Sequence, residues 1–234
     1  MKSKSEHIFF KVSAICYALI VFWGFAPSFY LSRFFDDFEP LPLPLILHGI
    51  VFTIWMMLYI VQVILIGSKK YTLHKRLGIF GVFVMILMIP TGLFPVLYKY
   101  EAGLNDITLT GHNVFRLFSG YALFVLAVWH RKNSFFHKRL MLGCMVMLMS
   151  AAIFRISMDL GLGSSQIFNK GIQVLPAICL LILDMVNYKR VVCVDLISVV
   201  AVFAIFFLAD YFWLMPFGEV FANFLLSIFV EPFI

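Results

Sequence analysis

The sequence predicts an all-α fold: a polytopic membrane helix bundle of about seven transmembrane helices, with a pseudo-repeated four-helix core and a C-terminal interfacial helix. Three observations lead there. The first is composition. Of 234 residues, 63% are hydrophobic, 18% aromatic and only 13% charged, with a mean hydropathy of +1.00. Soluble domains run about 45–50% apolar and about 25% charged. A water-soluble globule is therefore excluded, and so is a disordered chain, which would be polar and poor in aromatics. The second is the recurrence of apolar runs near 20 residues, the length that crosses a bilayer. The third is the sorting of Lys and Arg into alternate connecting segments.

Taken in order, the runs are 10–30, 44–66, 77–98, 112–131, 140–158, 171–188 and 192–215. The whole chain, 1–234, reads as a single transmembrane domain. The first run follows Lys2 and Lys4, but it is longer than a signal-peptide core, and Ala26-Pro27 is a poor cleavage site, so it is kept as the first helix. With the N-terminus inside, the inner segments hold 13 Lys and Arg residues and the outer loops only Arg33, Lys99 and Lys170. The outer loops also carry Asp36, Asp37, Glu39, Glu101 and Asp106. The net charge of +6 and the pI near 9.2 thus point to anionic lipid headgroups of the bilayer rather than to nucleic acid. Beyond Pro216, the apolar core 220–230 is too short to cross and is expected to lie on the outer face or to re-enter it. Cys16, Cys144, Cys179 and Cys193 lie in apolar runs without a CxxC spacing and read as small buried hydrophobes.

An internal repeat organises the middle of the chain. His-Lys-Arg-Leu occurs at 74–77 and again at 137–140, each after a helix that opens on a histidine, His48 or His112. Segments 44–98 and 112–158 therefore read as two copies of one hairpin, with helices 10–30, 171–188 and 192–215 around them. The repeat sets His48 and His112 at the outer level and His74 and His137 at the inner level. Helical spacing aligns His48 with Phe52, Trp55, Tyr59 and Gln62. It aligns His74 with Gly78, Gly81, Met85, Met88 and Gly92, His112 with Arg116, Ser119, Leu123, Leu126 and His130, and His137 with Met141, Cys144, Leu148, Ala151 and Arg155. Polar groups are expensive in hydrocarbon, so these stripes should face the bundle interior.

Two histidines from different helices suit a six-coordinate haem iron, because the porphyrin supplies the equatorial ligands. A bare zinc or copper ion usually requires three or four protein ligands. Haem propionates need cations. Arg116 lies one turn from His112, and Arg155 lies 18 residues beyond His137, about 27 Å along a helix, back at the outer level. The glycines also suit close helix packing, the inner His-Lys-Arg clusters also suit lipid anchoring, and His130 competes with the inner pair, so the outer pair, His48 with His112, is the stronger candidate and is expected to meet across the bundle.

On these residues, the order outer, inner, outer, inner histidine over four consecutive helices resembles the ascorbate-type two-haem transmembrane cytochromes b. That resemblance implies haem b clamped by His48 with His112 and by His74 with His137. A second resemblance, carried by His48-Gly49, Trp55, Gln62, His74-Lys75-Arg76-Leu77-Gly78, and 137–141 through Ala151-Ala152 to Arg155, is to an uncharacterised family of small bacterial multi-pass membrane proteins. It implies the fold and a bacterial inner-membrane location, but no activity. The function expected is electron transfer by a cytochrome b-like protein, with quinone or another electron carrier as partner. The alternatives are a non-redox multi-pass protein, such as a small-molecule transporter or assembly subunit with a polar His/Arg cavity, and a stand-alone metal site on the outer histidines.

Overall fold

The structure, a computed structural model, describes residues 4–34, 41–163 and 165–231; Lys2, Asp36, Asp37 and Glu39 lie outside them. The described residues form α1 (Lys4–Phe25) continued by a π-helical turn (Ala26–Tyr30), α2 (Leu43–Gly67), α3 (Tyr71–Glu101), α4 (Ile107–Trp129), α5 (Ser134–Leu148), α6 (Ser150–Asp159), α7 (Gln166–Tyr188), α8 (Cys193–Trp213) and α9 (Pro216–Phe229). Six helices are long and apolar enough to cross a membrane, and α5 with α6 makes a seventh, bent by 42°. The protein is an integral membrane helix bundle. Large apolar side chains such as Ile79, Phe83, Val125 and Phe207 stand exposed on its outward faces, as lipid contact requires.

Local chemistry starts and stops these helices where the sequence changes character. Asp106 accepts a hydrogen bond from the Leu109 amide at 2.7 Å and opens α4; Asn133 does the same for Phe135 at 3.1 Å and opens α5. Such caps satisfy N–H groups that have no partner in the first turn. At the other end of α7, Lys189 adopts a left-handed φ of 57° and terminates the helix.

The two repeated hairpins are the two most extensive helix pairings, α2 on α3 and α4 on α5. Their interior stripe is aromatic and soft: Trp55, Tyr59, Met85, Met88 and Phe124 are all buried. Trp55 meets Phe124 edge-on at 5.4 Å, joining the hairpins, and the Tyr121 hydroxyl donates to the Met88 carbonyl at 2.7 Å. The α2 and α3 stripes face inward as expected. On α4 the inward face turns away before the end, leaving Leu126 and His130 exposed.

The second hairpin departs from the first. α3 runs unbroken over 31 residues, whereas span 140–158 breaks at Met149. The break lets α6 lean onto α1, where a side-chain carbon at Gly24 would fall 2.5 Å from the Ala152 carbonyl oxygen. Only glycine permits that approach. One further expectation is corrected. Cys144 is buried, but Cys16, Cys179 and Cys193 are exposed free thiols on outward faces; a small apolar side chain suits the lipid-facing surface equally well. The short C-terminal helix, too short to span, packs on the bundle. Ala222, Leu225, Leu226 and Val230 cluster with Leu93, Leu97 and Val114, which seats α9 beside the end of α3.

One charge cluster closes the bundle at the end where Lys and Arg collect, called here the basic end. Arg139 is 1% exposed, not a lipid-facing anchor. Its Nε donates to Asp184 at 2.7 Å and its Nη2 to Glu6 at 2.9 Å, while Asp195 lies 3.2 Å away. Lys138 adds a second cation, 2.5 Å from Glu6. Four helices, α1, α5, α7 and α8, are thereby tied to one guanidinium. Removing one partner of a buried ion cluster strands the others, at about 3–5 kcal/mol. Arg139→Ala should therefore lower the melting temperature of the detergent-solubilised protein sharply. Arg76→Ala, at the equivalent and exposed position of the first repeat, should leave it nearly unchanged. Equal melts for the two variants would contradict the structural role assigned to Arg139.

Candidate functional site

At the basic end the repeat brings His74 and His137 together. The first turn of α3 presents His74, and the first turn of α5 presents His137. Their ring centroids are 6.3 Å apart, with planes at 85°. The His137 Nδ1 lies 2.8 Å from the Ala127 carbonyl oxygen. A carbonyl only accepts, so Nδ1 carries the hydrogen and Nε2 keeps its lone pair. Gln62 donates from Nε2 to the His74 carbonyl at 3.1 Å, which pins the start of α3 to α2. The His74 Nδ1 is buried without a hydrogen-bond partner.

The separation matches that of two imidazoles on one metal axis. Two metal–nitrogen bonds of about 2 Å, plus about 1.2 Å from each nitrogen to its ring centre, put centroids about 6.4 Å apart. The tautomer fits as well, since a ligating histidine commonly gives its other N–H to a carbonyl. Both rings are half-buried, and Lys75 and Arg76 beside His74 are exposed. Among the described residues no group of three or more His, Cys, Asp or Glu side chains could hold a bare metal ion. A two-histidine site therefore suits a metal that brings its own equatorial ligands.

At the opposite end, His48, His112, Arg116 and Arg155 have different surroundings. His48 packs on Phe52 with centroids 4.2 Å apart and lies against the Thr91 carbonyl, near Arg155. That carbonyl needs a partner, because Pro95, four residues on, has no N–H to offer it. Arg155 donates to the Ser28 hydroxyl at 3.2 Å and covers the Phe25 ring at 4.7 Å, so it serves the kinked end of α1. His112 and Arg116 line a separate cavity of about 140 Å³ with Leu109, Ser150, Phe154, Asn169 and Gln173. Ligand pockets usually run about 300–1,000 Å³, so this one does not fit a porphyrin.

His130 lies exposed at the end of α4, packed on Phe136 with centroids 5.5 Å apart, and does not join the inner pair. Glu6, Arg139, Asp184 and Asp195 were not among the residues the sequence singled out. The available signal was three acidic residues at the basic ends of apolar helices, where positive-inside sorting gives no reason for acids.

No family model, no curated protein and no solved structure matches this chain.

The pairing of His48 with a proline-freed carbonyl has a testable consequence. Pro95→Ala gives the Thr91 carbonyl a helical donor and releases the imidazole. The reactivity of His48 toward diethyl pyrocarbonate, followed by peptide mass mapping, should rise several-fold while that of His137 stays level. An unchanged His48 would sink this account of its role.

Proposed function

We propose that this protein is a cytochrome b-type membrane electron-transfer protein in which His74 and His137 supply the axial ligands of a haem b. The observation that carries the reading is their meeting from two repeated hairpins at a centroid separation of 6.3 Å. The two-haem resemblance contributes the pairing of these positions; geometry favours the inner pair over His48 with His112. When bound, the haem would supply one-electron redox chemistry, with quinone as a carrier that the bilayer itself provides.

The chain's own contribution is orientation. The Ala127 carbonyl holds the His137 ring by its Nδ1 hydrogen and turns Nε2 outward as a ligand. Gln62 fixes the backbone beneath His74, so that ring enters from a set direction. Lys75 and Arg76 offer cations for propionates at the exposed rim. The lipid-facing belt retains the site in the membrane, in a bacterial inner membrane with the N-terminus in the cytoplasm and the C-terminus outside, as the 13 basic residues against three imply.

Two experiments test this. Detergent-purified protein produced with haem available should show a Soret band of low-spin, bis-histidine type. His74→Ala or His137→Ala should abolish that spectrum, while His48→Ala and His112→Ala should retain at least half of it. A spectrum that survives loss of either inner histidine overturns the ligand assignment. Separately, a periplasm-active reporter fused after the last residue should be active, and a cytoplasm-only reporter there should be silent; the reverse pattern would refute the orientation.

A further inference from the structure

The cavity between α4, α6 and α7 holds a charge, Arg116, that has no acidic partner among the described residues. Leu109, His112 and Arg116 contribute one face of α4; Ser150 and Phe154 contribute one face of α6; Asn169 and Gln173 contribute one face of α7. Each set follows helical spacing, so the wall is built rather than accidental. Ser150 is the first residue after the 42° bend, and the bend sets its hydroxyl at the wall.

Arg116 sits nine residues into α4, about 14 Å along the helix, well within the span. A guanidinium at that depth is expensive unless paired. Among the described residues it has no acidic partner and no hydrogen bond. Other cations of this protein are treated differently: Arg139 has three carboxylates around it, and Arg155 has Asp159 nearby. The cavity adds neutral dipoles. Asn169 presents a buried side-chain oxygen with no partner, and at ordinary precision its amide nitrogen can occupy that place instead. Gln173 spends its amide nitrogen on the Val146 carbonyl at 3.0 Å, which holds the floor in position.

From this arrangement we propose that the cavity is a binding site for a monocarboxylate, its carboxylate on Arg116 and its apolar part against Leu109 and Phe154. One unpaired guanidinium matches one negative charge, and its planar fork matches a carboxylate. The apolar walls disfavour a phosphate dianion, which would need more donors and a second cation. The volume of about 140 Å³ is close to that of an engineered cavity that takes benzene, at about 150 Å³. It therefore admits about six heavy atoms, the size of butyrate or of the head of a membrane fatty acid. The site shares no residue with the histidine pair at the basic end.

The test is calorimetric titration of the whole chain in detergent with butyrate, palmitate and the neutral isostere butyramide. Butyrate should bind at least ten-fold more tightly than butyramide. Binding confined to palmitate supports the carboxylate site and assigns its source to the membrane. Arg116→Gln should weaken carboxylate binding at least ten-fold. Phe154→Trp, which fills the cavity and leaves the charge in place, should abolish butyrate binding and keeps the test open if the arginine variant fails to fold. Arg155→Gln should change nothing. Butyramide binding as well as butyrate, no carboxylate binding at all, or full affinity in Arg116→Gln or in Phe154→Trp would overturn the proposal.

Discussion

The rest of the bundle depends on how one guanidinium is buried. Arg139 draws Glu6 from α1, Asp184 from α7 and Asp195 from α8 onto α5. In lipid there is no hydrophobic drive between helices, so association rests on packing and on polar contacts. A single residue that engages three other helices therefore does what an apolar core does in water. It also sets register. Glu6 belongs to the first turn of α1, so satisfying Arg139 fixes how far α1 slides along its neighbours. The same register sets Gly24 of α1 against Ala152 of α6.

That constraint explains why the two repeats have diverged. The shared tetrapeptide gives each hairpin a histidine followed by two cations, and both hairpins touch α1, but the second also packs extensively on α7 and α8. There Arg139 is buried and Lys138 pairs with Glu6, while Lys75 and Arg76 of the first copy stay exposed. The two histidines still meet across the interface between the hairpins, with ring centroids 6.3 Å apart. The second hairpin bends and keeps its outer half on α1, whereas α3 runs unbroken through Pro90 and Pro95.

Much of this was legible from residue patterns. The spans follow from runs of apolar residues, and the hairpin repeat from His-Lys-Arg-Leu with its preceding histidines. The repeat also set His74 level with His137 and His48 level with His112, but residue patterns favoured the outer pair, and it is the inner rings that lie 6.3 Å apart. What was not legible depended on contacts between distant elements. Arg139 reads as a lipid anchor until Glu6, 133 residues away, is set beside it. The divergence of His48 from His112 is equally hidden, since it turns on Pro95 freeing a carbonyl on a third helix. Periodicity also gave Cys16, Cys179 and Cys193 no preferred face, because in a membrane an apolar side chain is equally at home inside and out.

The two proposed sites share helices, and that sharing has an electrostatic consequence. α4 carries Arg116 in the cavity and Ala127 beneath His137, 11 residues apart, or about 16 Å. In a medium of effective dielectric near 20, unit charges at that distance interact by about 1 kcal/mol. For a one-electron couple this is roughly 45 mV. Salt cannot screen it, because the intervening space is filled by buried side chains such as Leu123 and Phe124. With the proposed haem bound at the histidine pair, an anion on Arg116 would cancel a positive charge that otherwise stabilises an added electron there. Under the two proposals, occupancy of the cavity and electron affinity at the basic end would be linked through the field of one residue, without any movement of the helices between them.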